Sequence, residues 1–293
     1  KVHFAGLENQ DFAEILHKVS GIKYSLFTVF PFIAHKAGIK PMKMKTCTES
    51  SPIYLQNASR HTIMDSGLFT LMFGAHAGNR DEIFVDKWYN YICEFINQTG
   101  YKGTVVEVDC QKILGVKKAK QFRIRMKNDL PNNKQINVFH IEDKKKGLDE
   151  MIEFSDYIAI SLPELRALKK KEYAYRLACY IKNKKPEIDL HLLGCTENKL
   201  LKKCSFASSS DSTSWQQVNR YGILKMNNGH KTLSVKNSNI SIELLRNRYS
   251  PKIENIITKW MDVTSKRFDY YSKYALAGES LLKQYTYYAG SQK

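Results

Sequence analysis

The sequence predicts one α/β domain, a (β/α)8 TIM barrel with a C-terminal hairpin and helical extension. Three observations lead there. Short apolar runs recur along the chain, and segments with helical spacing follow them. Eight such runs can be counted, the number that closes a parallel barrel. The chain of 293 residues, 43% hydrophobic and 12% aromatic, is long and apolar enough for a large core, which excludes a disordered chain.

The elements follow in order. Val2 to Gly6 is the first run, with Phe12, Ile15, Leu16 and Val19 at helical spacing behind it. Tyr24 to Phe30 is the second. Thr62 to Met64, ending at Asp65, is the third, and Phe84, Trp88, Tyr91, Ile92 and Phe95 mark an amphipathic helix after it. Thr104 to Val108 leads to Asp109, and Ile136 to Ile141 makes the fifth run. Tyr157 to Ile160 leads to Ser161 and a helix from about Pro163, since proline suits a first turn. Ile188 to Leu193 closes at Gly194. The eighth run, Cys204 to Ser208, is short and runs toward Asp211. An open doubly wound sheet is the alternative, but no G-x-G-x-x-G turn follows the first run.

Residues 1–215 therefore form the barrel core, and residues 216–293 add a hairpin and helices packed on it as one domain. Tyr221 to Met226 and Lys231 to Val235 flank Asn227-Asn228-Gly229, a hairpin signal. Ile253, Ile256, Ile257, Trp260 and Met261 predict a helix beyond Pro251.

Lysine and arginine number 46 against 29 acidic residues, a net charge of +17. Such an excess suits a polyanionic partner, DNA or RNA, although a lysine-rich proteome would also produce it. No apolar stretch approaches the roughly 20 residues of a membrane span. No secretory signal opens the sequence, and six cysteines without C-x-x-C or zinc-finger spacing read as reduced thiols. These features predict a cytoplasmic protein with no metal site.

Asp65, Asp109 and Asp211 each follow an apolar run, which places them together at the mouth of a barrel. Crowded carboxylates repel and their pKa values separate, so one can stay ionised as a nucleophile while another carries a proton. That pairing suits glycosidic-bond chemistry. Helix capping is the plainer role for any one of them. His140 also ends a run and can meet a sugar or base, or be a satisfied core histidine. Residues 112–134 are strongly basic. Arg123 and Arg125 alternate with Phe122, Ile124 and Met126 as in a strand, which would put both arginines on one face toward phosphates, with Lys117, Lys118, Lys120 and Lys127 nearby. The tyrosine-rich tail (Tyr270, Tyr271, Tyr274, Tyr285, Tyr287, Tyr288) either packs on the barrel or stacks on bases.

Four segments now stand in order. Met64-Asp65-Ser66-Gly67-Leu68-Phe69 resembles the Asp-Ser-Gly-Gly-(Tyr/Phe)-Gln segment of the tRNA-guanine transglycosylase superfamily. Val108-Asp109-Cys110 is similar to its base-reading segment, and His191-Leu192-Leu193-Gly194 to its His-Leu-Met-Gly segment. Asp211 lies where that family keeps its nucleophile. The departures are Leu68 for the second glycine, Thr70 for the glutamine, and the missing cysteine/histidine zinc cluster. Ser161-Leu162-Pro163-Glu164 replaces a glycine-rich loop. With these departures the chain looks most like the phage-type DNA 7-deazaguanine transglycosylases (DpdA).

The resemblance implies a transglycosylase that exchanges guanine in DNA for a 7-deazaguanine base, without a cofactor. Asp211 would be the nucleophile on C1′ and Asp65 the proton shuttle. Asp109 would read the base, with Phe69 stacking on it and Ser66, Cys110, Ser161, His140 and Gly194 around it. The partners would be DNA and the free base in a host cytoplasm, and a homodimer is compatible with the sequence. The alternatives are the same chemistry on tRNA, a non-catalytic nucleic-acid-binding subunit, and a metabolic barrel enzyme acting on a phosphorylated small molecule.

Overall fold

A computed structural model of the chain describes residues 1–39, 50–73, 81–195, 197–221, 223–228, 231–236 and 265–288. Eight parallel strands close into a barrel in sequence order: β1 (Val2–Ala5), β2 (Tyr24–Thr28), β3 (His61–Asp65), β4 (Thr104–Val106), β5 (Gln135–Phe139), β6 (Tyr157–Ser161), β7 (Asp189–Leu193) and β8 (Ser209–Ser212). Closure is direct, because β1 pairs with both β2 and β8, with His3 opposite Asp211. The chain is therefore a (β/α)8 barrel.

The helices needed to place the site are α1 (Gln10–Ile15), α2 (Phe30–Ile33), α3 (Ser50–Ala58), α4 (Leu68–Phe73), α5 (Glu82–Thr99), α6 (Gln111–Asp129), α7 (Lys144–Phe154), α8 (Leu162–Ala167), α9 (Tyr173–Lys184), α10 (Asn198–Lys203), α11 (Gln217–Arg220) and α12 (Ser265–Tyr288). Local chemistry explains them. The Asn9 side chain caps α1 by accepting from the Asp11 and Phe12 amides, at 2.9 and 3.3 Å. Asp81 caps α5, and Val85, Trp88, Tyr89, Ile92, Phe95 and Ile96 form its buried stripe at helical spacing.

Strand alternation divides the core in two. Ala5, Leu26, Ile63, Val106, Ile136, Val138 and Ala159 fill the barrel interior. A larger apolar shell lies between the strands and the outer helices. Below the interior layer the barrel floor is polar. His3 Nε2 is 2.8 Å from His61 Nδ1, and His61 Nε2 is 2.9 Å from Thr104 Oγ1.

Burial pushes His61 down to about 4, with Lys1 and Lys134 adding to the effect, and burial alone pushes His17 down to about 4. Both are held neutral in the fold, so they contribute stability above the unfolded value near 6.5, and lose it as pH falls toward about 4. His3, also depressed, adds to this. The melting temperature is expected to fall between about pH 6.5 and 4, in thermal unfolding followed by circular dichroism.

Several predicted elements differ. The eighth strand is Ser209–Ser212, not Cys204–Ser208. Its Ser-Ser-Asp-Ser sequence carries no apolar signal, whereas Cys204 ends α10 and packs in the outer shell. The Phe122–Met126 alternation belongs to α6 and not to a strand. At about 100° per residue, positions 123 and 125 lie about 200° apart, so the two arginines point opposite ways. The hairpin strands are β9 (Ile223–Asn228) and β10 (Lys231–Lys236), antiparallel, with Asn228 opposite Lys231, so Asn227 and Asn228 belong to β9, while Gly229 lies outside the described residues. The helix expected around Ile253–Met261 lies outside the described residues. The tail is packed as a helix. Tyr271 donates to Asp11 Oδ2 at 2.8 Å, and Tyr274 lies 4.6 Å from the Phe12 ring and 5.1 Å from Trp215, between ring centroids. The side chains of Tyr285, Tyr287 and Tyr288 lie outside the described residues. Among the described residues no helix is long and apolar enough to cross a membrane.

Candidate active site

Asp65 is the last residue of β3, and its carboxylate Oδ1 accepts from the Gly67 amide at 2.7 Å. Gly67 makes this turn possible. Its φ is +72°, and a Cβ there would stand 2.8 Å from Phe30 Cβ and 2.9 Å from Thr28 Oγ1. The Asp65 carboxyl is pushed up to about 6. Burial is the main cause, and the charges of Asp211 and Asp109 add to it. That coupling places the three aspartates in one electrostatic neighbourhood.

Asp211 is held differently. It lies on β8 and is almost fully buried. Its Oδ1 accepts from the Gly194 amide at 2.6 Å and lies 3.2 Å from His191 Nε2. His191 Nδ1 is in turn 2.6 Å from Ser209 Oγ, which hydrogen-bonds the Tyr157 hydroxyl. With the proton on Nε2, every donor in this chain points toward Asp211: Tyr157 to Ser209, Ser209 to His191, His191 to the carboxylate. One carboxylate oxygen is thereby fixed, leaving the other to meet a substrate. Gly194, at φ +63°, closes β7 so that its amide turns inward.

Asp109 follows β4 and shares a third cluster. Its Oδ1 lies 2.8 Å from His140 Nε2, and His140 Nδ1 lies 3.0 Å from Glu164 Oε2. Burial opposes the imidazolium, but the two carboxylates overcome it and push His140 up to about 10. His140 is therefore charged at neutral pH and orients Asp109. Glu164 sits below its usual range, because hydrogen bonds from His140 and Lys112 outweigh its burial.

The other predicted site residues divide. Ser161 ends β6, and its Oγ accepts from the Glu164 amide at 3.4 Å, so it caps α8. Gly194 serves Asp211 through its amide. Ser66 is buried, and its carbonyl accepts from Trp88 Nε1 at 2.9 Å. Cys110 is fully buried in the outer shell and burial pushes its thiol up to about 12, which corrects the expectation that it lines the mouth. It precedes α6 and packs behind the barrel wall. The Phe69 side chain lies outside the described residues.

The expected phosphate face on α6 is not presented as such. The Arg123 Nε and Nη2 atoms lie 2.5 and 3.0 Å from the Glu107 carboxylate, which is buried. Arg125 pairs with Asp86 and Asn90, Lys118 with Glu82, and Lys120 with Glu150. Lys127 donates to the Phe154 carbonyl at 3.0 Å. Lys117 alone of the six expected contacts is exposed with no partner among the described residues.

His191, Glu164, Tyr157 and Ser209 complete the geometry, although sequence reasoning gave them no role in catalysis. The signal for His191 and Ser209 was strand alternation, since both share the inward face of Asp211 and its strand neighbours. Among the described residues no group of histidine, cysteine and acidic side chains is placed to hold a metal ion. No protein-family model matches the chain, and no curated protein matches it.

Proposed function

We propose that the chain is a transglycosylase that exchanges guanine in DNA for a 7-deazaguanine base. The observation that carries this reading is a pair of carboxyls gathered at one mouth and held by different partners. Asp65 sits near pH 6 through burial, whereas Asp211 is fixed by two donors to one oxygen. A group titrating near neutrality suits proton transfer, and a positioned carboxylate suits covalent catalysis.

In this reading the free oxygen of Asp211 attacks C1′ as the glycosidic bond to guanine breaks. Asp65 delivers its proton to the departing base. The incoming base gives a proton back to Asp65 and displaces Asp211 from C1′, so protons and bonds balance over the cycle. Asp109, held by the His140 imidazolium, would accept from the N1–H and amino group of the base. A base in a duplex is unreachable, so the target nucleotide must be flipped or single-stranded. The same chemistry on tRNA is the second reading, and a non-catalytic subunit the third. The paired chemistry of Asp65 and Asp211 favours an enzyme over the last.

The test is base exchange. Guanine-labelled DNA and tRNA are incubated separately with the protein and 7-deazaguanine bases. Guanine released from DNA alone is the expected result. Release from tRNA alone makes the substrate RNA, and release from neither removes the catalytic assignment.

A further inference from the structure

We infer that a phosphodiester backbone is gripped by a basic crescent on the βα loops after β5 and β6, made by Lys144, Lys145, Lys146, Arg166, Lys169 and Lys170. The inference rests on the proposed action on nucleic acid and moves the electrostatic contact away from α6.

Position is the first argument. His140 and Glu164 belong to these two loops and touch each other at the mouth, within hydrogen-bond reach of Asp109. Lys144 is four residues past His140, and Arg166 is two past Glu164. Arg166 also acts electrostatically on Cys195, the neighbour of the Gly194 that holds Asp211. The crescent thus borders the three aspartates.

Availability is the second argument. All six side chains are exposed, and among the described residues none forms an ion pair, with Lys145 set 5.8 Å from the centre of the Tyr180 ring. The rim cations beside them are spent, Lys112 on Glu142 and Glu164, Lys171 on Glu197. The α6 cations are largely spent as well.

Backbone conformation is the third. Among the described residues only two that are not glycine have positive φ, Lys144 at 56° and Lys169 at 55°. Each opens a run of three lysines. Lys169 follows α8 in a left-handed capping turn, with its amide on the Arg166 carbonyl at 3.0 Å and the Lys170 amide on the Leu165 carbonyl at 2.8 Å. Glycine is favoured at such a position and a lysine there is strained. Two lysines kept against backbone preference, on adjacent loops of the carboxylate face, point to a use for their charge. Six cations around a mouth of carboxylates fit a strand whose phosphates lie on the rim while one base enters.

The strain supplies the test. Lys144→Gly with Lys169→Gly removes two charges and relieves both turns, so a loss of binding in a variant that melts no lower than the parent does not come from misfolding. Binding of a labelled single-stranded 20-mer, a duplex of the same sequence and tRNA is followed by fluorescence anisotropy across a salt series, with melting temperature alongside. The double variant is expected to melt about 2–4 °C higher, and to lose about 1.4 to 1.8 from the slope of log affinity against log salt, the release of about two counterions. Lys117→Ala, Lys118→Ala and Lys120→Ala combined are expected to leave the slope unchanged. An unchanged slope in the double glycine variant, or a loss confined to the α6 variant, overturns the crescent. Guanine release with a slope indifferent to the glycine variant leaves the exchange reading and removes the crescent. A slope that depends on these lysines without guanine release keeps the crescent and removes the exchange reading. The three probes tell which nucleic acid it grips.

Discussion

Under the proposed exchange mechanism, Asp211→Asn is expected to abolish base exchange, with a loss of about 10⁴- to 10⁶-fold, because a neutral amide is a far weaker nucleophile toward C1′ than a carboxylate. Asparagine keeps an oxygen for Gly194 and His191, so the barrel should remain folded. Asp65→Asn is expected to lower exchange by about 10²- to 10⁴-fold, the usual worth of a positioned acid and base. It is also expected to stabilise the protein. The folded carboxyl near 6 lies above its ordinary value of 3.8, so the fold prefers the protonated form. Stability from this group is full below about pH 4, is lost as pH rises toward 6, and stays lost above it. An amide cannot ionise and still accepts from Gly67, so the variant should gain about 1–2 kcal/mol at pH 7 and almost nothing at pH 4. Thermal unfolding at both pH values measures the gap. A gap of equal size at pH 4 and pH 7 would show that ionised Asp65 carries no strain. Exchange itself should fall on both sides of about pH 6, since guanine departure needs Asp65 protonated and base entry needs it ionised.

The barrel was legible in the sequence because seven of its strands carry apolar runs that burial requires. Ala5, Leu26, Ile63, Val106 and Val138 sit inside, and their outward neighbours are apolar too, as strands covered on both faces demand. The eighth strand was misplaced because its residues are small and polar. They fit there because β8 turns Ser209 and Asp211 toward His191, Tyr157 and the Gly194 amide, which take up their polar atoms. The aspartates were legible because each stood at or just past an apolar run, although Asp65 ends β3, Asp211 lies within β8 and only Asp109 follows its strand. Their partners were not, because contacts such as His140 to Glu164 join residues 24 apart in sequence through the side-by-side pairing of β5 and β6. Arg123 and Arg125 were misread because five residues alternate as in a strand, whereas in α6 only Phe122 and Met126 share the buried face and Ile124 is exposed. A count of positive charges could not show which lysines already had carboxylates beside them.

Arg123→Ala is expected to destabilise the barrel by about 3–5 kcal/mol, the cost of leaving a buried carboxylate without its cation. Glu107 is buried and receives four donors: Arg123 Nε at 2.5 Å and Nη2 at 3.0 Å, Asn137 Nδ2 at 3.1 Å and the Val138 amide at 2.7 Å. It therefore ties α6 to β5, beneath the loop that carries Asp109. Arg125, on the opposite side of the same helix and 40% exposed, supplies the control. Its pairing with Asp86 is open to water, and Arg125→Ala should cost at most about 1 kcal/mol. Urea unfolding of the two variants separates a structural arginine from a surface one. Adding Glu107→Gln to an Arg123→Leu chain should recover part of the loss, because the uncompensated charge goes with the arginine. If the double variant were as unstable as the sum of the single ones, the pair would not be coupled, and the buried tie between α6 and β5 would have to be packing instead. The same scan tests the site, since loosening α6 displaces Asp109 relative to His140. Exchange in Arg123→Ala should therefore fall even at temperatures where the chain is still folded.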